Sequence, residues 1–535
     1  MTTPDSPTTL HSPHLPAQLA GPLGDHLKGL VLPQWLPQRR WFRSKTQSIQ
    51  VVDLEAVFPC QTLGVLGADA VFTVLRVTFS TGAVERYLLP LGLLAPGDTS
   101  DLPEAALLGP VETPAGARLL IDACWHAGFR TWLLEVLAGH HEALGSGGAL
   151  RGYPAFGQTF SGTPLAASRV LNAEQSNTAL VYGQGPEALF VKLYRRLEAG
   201  IHAEPEMLRF LSEQTTFRHA PQFISSLEWI DPLGQTYTTV LAAEFLADAT
   251  DVWSYVLDGL RAKPQGDDIA GLPAALHATA ALIGRRVGEF HRAAASHTDG
   301  AAFAPEPFTM ADAISARARA RASLAEGVRD VQALLATPPL HFEHEAHALL
   351  DGQARLFERI EEAVHAVGHG STGFKIRTHG DLHLGQILIH TGSATPEIRI
   401  LDFEGEPGRP LAAAREKQSP LRDVAGMLRS FHYAAHASVL LSENHHEQVP
   451  SHAQPDARAA ALCASFLDEY FTVLDRVENL EGGGILPDTT EARRALLDLF
   501  VLEKATYELQ YECNNRPSWM VIPLRGLLAL CEPKT

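Results

Sequence analysis

Residues 377–410 read RTHGDLHLGQILIHTGSATPEIRILDFEGEPGRP. HGDLHLGQ, residues 379–386, is too polar and too broken by glycine for a core element, yet it runs straight into the apolar strand ILIH. A turn follows at HTGSATPE, then a second strand, IRIL, which ends in Asp402. A hairpin of this form holds Asp381, in the loop entering it, close to Asp402 at its far end. Two carboxylates beside the amide of Gln386 can hold a divalent cation and orient a hydroxyl. An aspartate in a glycine loop is ordinarily a turn residue. HGDLHLGQ, a strand, a turn and a strand ending in DFE together point instead to phosphoryl transfer.

Upstream of this hairpin the chain is rich in β signals. Residues 1–20 carry Pro, Ser and Thr and are expected to be a disordered leader. LPQWLPQRRWFRSK follows, with Arg40, Trp41 and Phe42 as an aromatic and basic cluster expected to pack. VTFS-TG-AVERYLL and QFISSLEWIDPLGQTYTTVLAAEFL read as hairpins, and HAEPEMLRFLSEQ as a helix. Beyond about residue 250, Ala-, Leu- and Arg-rich helical periodicity dominates. The expected organisation is α+β: leader 1–20, a β-rich cap 21–145, a β-rich lobe 146–248 and a helix-rich lobe 249–535 containing the hairpin. A β lobe followed by an α lobe suits nucleotide binding.

Composition narrows the function. Of 535 residues, 43 are Lys or Arg and 61 are Asp or Glu, a net charge of −18. That balance argues against a nucleic-acid binder, which needs a basic face. The five cysteines form no CxxC pair, so neither a disulfide framework nor a structural zinc site is expected. No apolar run reaches the roughly 18 residues of a membrane span, and the N-terminus lacks a signal-peptide pattern. The expected location is the cytoplasm.

HGDLHLGQ with LDFEGEP resembles the catalytic and metal-binding motifs of small-molecule kinases related to the aminoglycoside and choline kinases, which share the protein-kinase-like bilobal fold. Gln386 stands where most of those relatives have Asn. With EGEPGRPLAAAREKQSPLRDVAGMLRSFHYAA, that departure resembles the bacterial maltokinases. RRWFRSK is similar to the maltokinase cap signature, VKLYRRLEAGIHAEPEMLRFL to the lysine strand and next helix, and KATYELQYECNNRPSWMVIPLRGL to the C-terminal signature. The resemblance runs from about residue 32 to the end. One segment departs: the usual Gly-Asp-Ala-Trp is here ATDVW, around Trp253.

The resemblance implies roles for particular residues. Lys192 would meet the phosphates of ATP and be held by Glu206, and the loop bearing Gln175, Ser176 and Asn177 would cover them. Asp381 would be the catalytic base, and Gln386, Asp402 and Glu404 would hold Mg²⁺. His379 and His383 would orient the loop, with His383 also on the sugar side. Arg422 and Asp423 are expected to form a buried pair steadying the loop. In the C-terminal segment, Tyr507 and Tyr511 lie at i, i+4, as do Glu508 and Glu512, giving adjacent aromatic and acidic ridges on a helix. With Asn515 and Trp519 they would form a saccharide pocket, since sugars need flat faces and carboxylates. The His-rich loop at His445 and His446 reads as solvated.

The activity the resemblance implies is transfer from ATP to the anomeric hydroxyl of maltose, giving α-maltose 1-phosphate for α-glucan (glycogen) synthesis, with trehalose synthase as a partner. A kinase for glucosamine, another sugar or an aminoglycoside on the same fold is the first alternative. An inactive kinase-like sensor is the second.

Overall fold

The computed structural model describes residues 14–61, 69–98, 102–113, 116–139, 142–157, 167–171, 176–261, 272–336, 341–367, 372–392, 395–441, 453–475 and 484–531. It is a mixed helix and sheet structure. Two compact units divide the chain: Met1–Gln214 with Pro221–Ala247, and Thr215–Ala220 with Asp248–Thr535.

The first unit opens with three short helices, α1 (Leu15–Leu19), α2 (Pro22–His26) and α3 (Leu32–Trp35). This corrects the expected leader over residues 14–20, while residues 1–13 lie outside the described residues. Leu15 and Leu19 are buried in the same core as Trp35, Trp41, Phe42 and Tyr87, and that apolar surface offsets the entropy of ordering them. The cap sheet contains β1 (Ile49–Pro59), β2 (Ala70–Phe79), β3 (Val84–Leu88), β4 (Leu91–Leu94), β5 (Leu107–Thr113) and β6 (Gly116–Asp122). Helix α4 (Ala127–Leu137) follows.

The second sheet runs β7-β8-β13-β14-β11-β10-β9. Its strands are β7 (Ala143–Gly145), β8 (Gly148–Pro154), β9 (Ser168–Val170), β10 (Thr178–Tyr182), β11 (Leu189–Leu193), β13 (Phe223–Ile230) and β14 (Thr236–Glu244). β12 (Arg196–Leu197) instead pairs with β3, so the cap sheet takes a strand from the second stretch. Arg195 anchors this junction on Asp122 and lies 5.0 Å over the Trp41 ring. Both hairpins read from the sequence form. In the second, Asp231 Oδ1 accepts from the amides of Leu233 and Gln235, each at 2.8 Å, which closes the turn. Helix α5 (Ala203–Gln214) follows β12.

The second unit is built on helices α6 (Val252–Arg261), α7 (Ala274–Ala294), α8 (Met310–Leu335), α9 (Glu343–Val367), α10 (Leu411–Ala414), α11 (Leu421–Leu440), α12 (Ala453–Leu474), α13 (Thr490–Asn515) and α14 (Val521–Cys531). Thr309 and Asp312 form a capping box at the start of α8, and Thr489 caps α13 through the Ala492 amide. The short segment Thr215–Ala220 belongs here because the Ile400 amide donates to the His219 carbonyl at 2.7 Å. The hairpin of the opening motif forms as Ile387–His390 paired antiparallel with Glu397–Ile400.

Candidate active site

The HGD turn is fixed from three sides. Asp423, at the start of α11, accepts from the amides of His379 (2.7 Å) and Gly380 (3.0 Å) and from His291 Nε2 (3.1 Å) on α7. Asp423 is fully buried. Burial alone would raise its carboxyl, but His291 and the His379 side outweigh it and hold it below its ordinary value. Arg422 turns the other way, to Glu503 at 3.0 Å. The expected Arg422–Asp423 pair is therefore replaced by two separate anchors, because adjacent residues on a helix face different directions.

His379 is held by both ring nitrogens. Nε2 lies 2.7 Å from the Leu401 carbonyl, and Nδ1 accepts from the Asp381 amide at 3.3 Å. A carbonyl can only accept, so the proton sits on Nε2 and the ring is a strut between the two acidic loops. Gly380 has φ +85°, and a Cβ there would meet Gly405 Cα at 3.2 Å, so the two loops touch through glycines. His383 accepts from the Gly385 amide at 3.1 Å. Burial lowers the pKa of its imidazole.

Gln386 Nε2 donates to Asp402 Oδ2 at 3.0 Å. Asp402 has φ +62°, a conformation uncommon outside glycine and concentrated at functional sites. The amide oxygen of Gln386 and the Asp402 carboxylate are hard oxygen donors side by side, which is the ligand chemistry of Mg²⁺. Glu404, two residues on, is half-buried.

In the first unit, Lys192 lies on β11 with its ammonium 2.9 Å from Glu204 Oε2, and both side chains are buried. Glu204 adds a partner to the expected one, Glu206, which lies two residues on. The first turn of α5 presents Glu204 inward, where it also accepts from the Tyr194 hydroxyl at 2.7 Å, while Glu206 is only half-buried. Asn177 Oδ1 accepts from the Arg195 amide at 3.2 Å, a structural bond, and Ser176 is exposed. Gln175 lies outside the described residues, as does the His445–His446 loop.

Asp381, in the second unit, sits on the wall of a cavity of about 430 Å³. That wall also carries His383, Trp253, Tyr433, Lys504, Tyr507, Glu508, Tyr511, Glu512, Arg516 and Trp519. On α13, residues 504, 507, 508, 511 and 512 fall at i, i+3, i+4, i+7 and i+8, one stripe of the helix. Tyr507 and Tyr511 remain 44% and 47% exposed, each with a cation over one face of its ring, Lys504 at 5.2 Å and Arg516 at 5.6 Å. Trp519 stacks on Tyr433 with centroids 6.5 Å apart. Asn515 is not on this wall: its amide donates to the Tyr511 carbonyl at 2.8 Å, capping its own helix.

Sequence reasoning missed Lys504. Its ammonium bridges Asp381 Oδ1 and Glu406 Oε1, at 3.2 Å each. Burial works against this charge, but Asp381, Glu406 and Glu508 outweigh it and raise the Lys504 pKa. The signal was available: Lys504 stands three residues before Tyr507 and four before Glu508, on the same ridge. Arg429 and Tyr433, on α11, were also missed, and no local spacing ties them to α13.

Residues 35–125 match the maltokinase N-terminal cap domain. Over 369 residues the chain is 28% identical to a glucosamine kinase of Mycolicibacterium smegmatis, covering 69% of this chain and 80% of that one. It is 26% identical over 377 residues to a glucosamine kinase of Streptacidiphilus jiangxiensis, covering 68% and 74%. A solved glucosamine kinase in complex with glucosamine, ADP and inorganic phosphate is similar with a TM-score of 0.63 at 21% identity, covering 93% of this chain and 98% of that one. A second glucosamine kinase structure gives 0.61 at 22% identity, covering 90% and 94%. The fold is thus kinase-like, with a maltokinase-type cap. Among the described residues, no helix is long and apolar enough to cross a membrane.

Proposed function

We propose that this chain is an ATP-dependent sugar kinase whose acceptor is the anomeric hydroxyl of maltose. The observation that carries this reading is that Asp381 shares one cavity wall with the aromatic stripe of α13. Sugar C–H faces would lie on Tyr507, Tyr511 and Trp519, and a cavity of about 430 Å³ is in the size range of small-molecule sites. Asp381 accepts the proton of the attacking hydroxyl or aligns it. The sugar oxygen bonds to the γ-phosphorus, the bond from that phosphorus to the bridging oxygen breaks, and ADP leaves. Lys192, held by Glu204, would meet the remaining phosphates. Gln386 and Asp402 would hold Mg²⁺, with Glu404 nearby; when bound, the ion offsets phosphate charge. On this reading the product, α-maltose 1-phosphate, feeds α-glucan synthesis, and a trehalose synthase would supply the maltose.

A second reading, a glucosamine acceptor, is favoured by the names of the two curated relatives. Phosphorus NMR of the protein with ATP, Mg²⁺ and maltose, glucose, glucosamine, trehalose or kanamycin separates them. A phosphomonoester on the anomeric carbon of maltose is expected. One formed on glucosamine alone would replace the first reading with the second, and intact ATP with every acceptor would refute both.

A further inference from the structure

Each carboxylate on the sugar-cavity wall has a cation beside it, although Asp381 shares its own with Glu406. Asp381 has Lys504 at 3.2 Å. Glu508 has Arg429, whose Nε donates to Oε2 at 2.8 Å; the two side chains are only 4% and 12% exposed. Glu512 has Arg516, which grips both oxygens at 2.7 and 3.0 Å, and Tyr433 adds a hydroxyl at 3.2 Å.

These cations arrive from separate places. Lys504 is on α13 itself, Arg429 is buried on α11, and Arg516 follows the last turn of α13 with its guanidinium 4.6 Å over Trp519. A Cβ on residue 526 would fall 2.0 Å from Arg429 Nη1, so Gly526 of α14 leaves the room in which that guanidinium lies.

The arrangement matters for what the cavity can accept. A sugar ammonium leaving water needs a carboxylate with charge to spare. Carboxylates already neutralised by arginine offer it little. A neutral sugar needs only lone pairs. Glu508 retains one, since Arg429 takes Oε2 and Oε1 has no protein donor among the described residues.

We infer that Arg429 and Arg516 are specificity-determining residues: by neutralising Glu508 and Glu512 they set the cavity for an uncharged acceptor sugar against one bearing an ammonium group. This rests on the sugar-acceptor reading above. Burial raises the Glu508 carboxyl in spite of Arg429, in keeping with a wall that does not favour net negative charge.

Arg516→Gln is the first test, because the Arg516 side chain is 46% exposed and glutamine keeps an N–H donor for the buried Glu512. Calorimetric binding of maltose and of glucosamine, without nucleotide, reads the inference independently of transfer. The glucosamine-to-maltose affinity ratio is expected to rise about fivefold or more in Arg516→Gln and to stay within twofold in Arg516→Lys. Arg429→Met is expected to raise it at least tenfold, with Arg429→Lys close to wild type. A ratio within twofold of wild type in Arg516→Gln would overturn the inference, as would an equal rise in the lysine variants. Glucosamine binding more tightly than maltose in the wild type would also overturn it. Sugar binding with these shifts but no transfer from ATP would instead leave the inference standing and sink the kinase reading.

Discussion

Replacing Asp423 should loosen the catalytic turn before it affects anything else. Its carboxylate accepts two buried backbone amides, at 2.7 and 3.0 Å, plus His291. Hydrogen bonds to a charged group contribute about 1.5–3 kcal/mol each. Asp423→Ala orphans both amides, and summing the two gives a loss of about 3–6 kcal/mol, a large share of the roughly 5–15 kcal/mol that folds a typical domain. Asp423→Asn keeps one acceptor oxygen and turns an NH₂ toward the second amide, so about half of that loss is expected, roughly 1.5–3 kcal/mol. The displaced turn carries Asp381, and catalytic groups misplaced by about 1 Å cost on the order of 100-fold in rate. Urea unfolding followed by tryptophan fluorescence, with steady-state phosphoryl transfer on the same preparations, measures both effects. If Asp423→Asn unfolds within about 0.5 kcal/mol of wild type and keeps its turnover, Asp423 does not hold the turn and the account of the site is wrong.

Asp381→Ala should abolish transfer while maltose binding survives in calorimetry; lost binding with normal turnover per bound sugar would contradict the base assignment. Glu204→Gln should raise the KM for ATP at least tenfold, and an unchanged KM would show that Glu204 does not position Lys192. Lys504→Met leaves Asp381 and Glu406 facing each other without their shared cation, and a shifted acidic limb of the pH–rate profile should accompany its loss of rate, with Lys504→Arg recovering part of both. Burial pushes the His432 imidazole down from 6.5 to about 3. Below about pH 6.5 the unfolded chain therefore takes up a proton that the folded chain refuses, so stability falls as pH drops toward 3. Between about pH 7.5 and 5 the loss is about 2 kcal/mol, and His432→Gln should flatten that slope in urea titrations.

Much of the site was legible because it is local. HGDLHLGQ, the hairpin and DFEGEP occupy about thirty consecutive residues, and alternation and turn chemistry dictate a strand pair that brings Asp402 to Gln386. The ridge of α13 was equally readable, since helical spacing alone fixes which side chains share a face. That spacing also implicated Lys504, had it been carried one turn back.

What the sequence could not supply is the identity of long-range partners. Arg429 and Glu508 are 79 residues apart, and Asp423 and His379 are 44 apart. No periodicity links them, because the packing of one helix on another chooses which of several equally plausible ions meet. The same reason brought Glu204 to Lys192 and turned Arg422 away from its neighbour. Sequence determined which chemistry each segment carries; tertiary structure decided which charges cancel, because a buried carboxylate must find its cation wherever the fold brings one within about 3 Å.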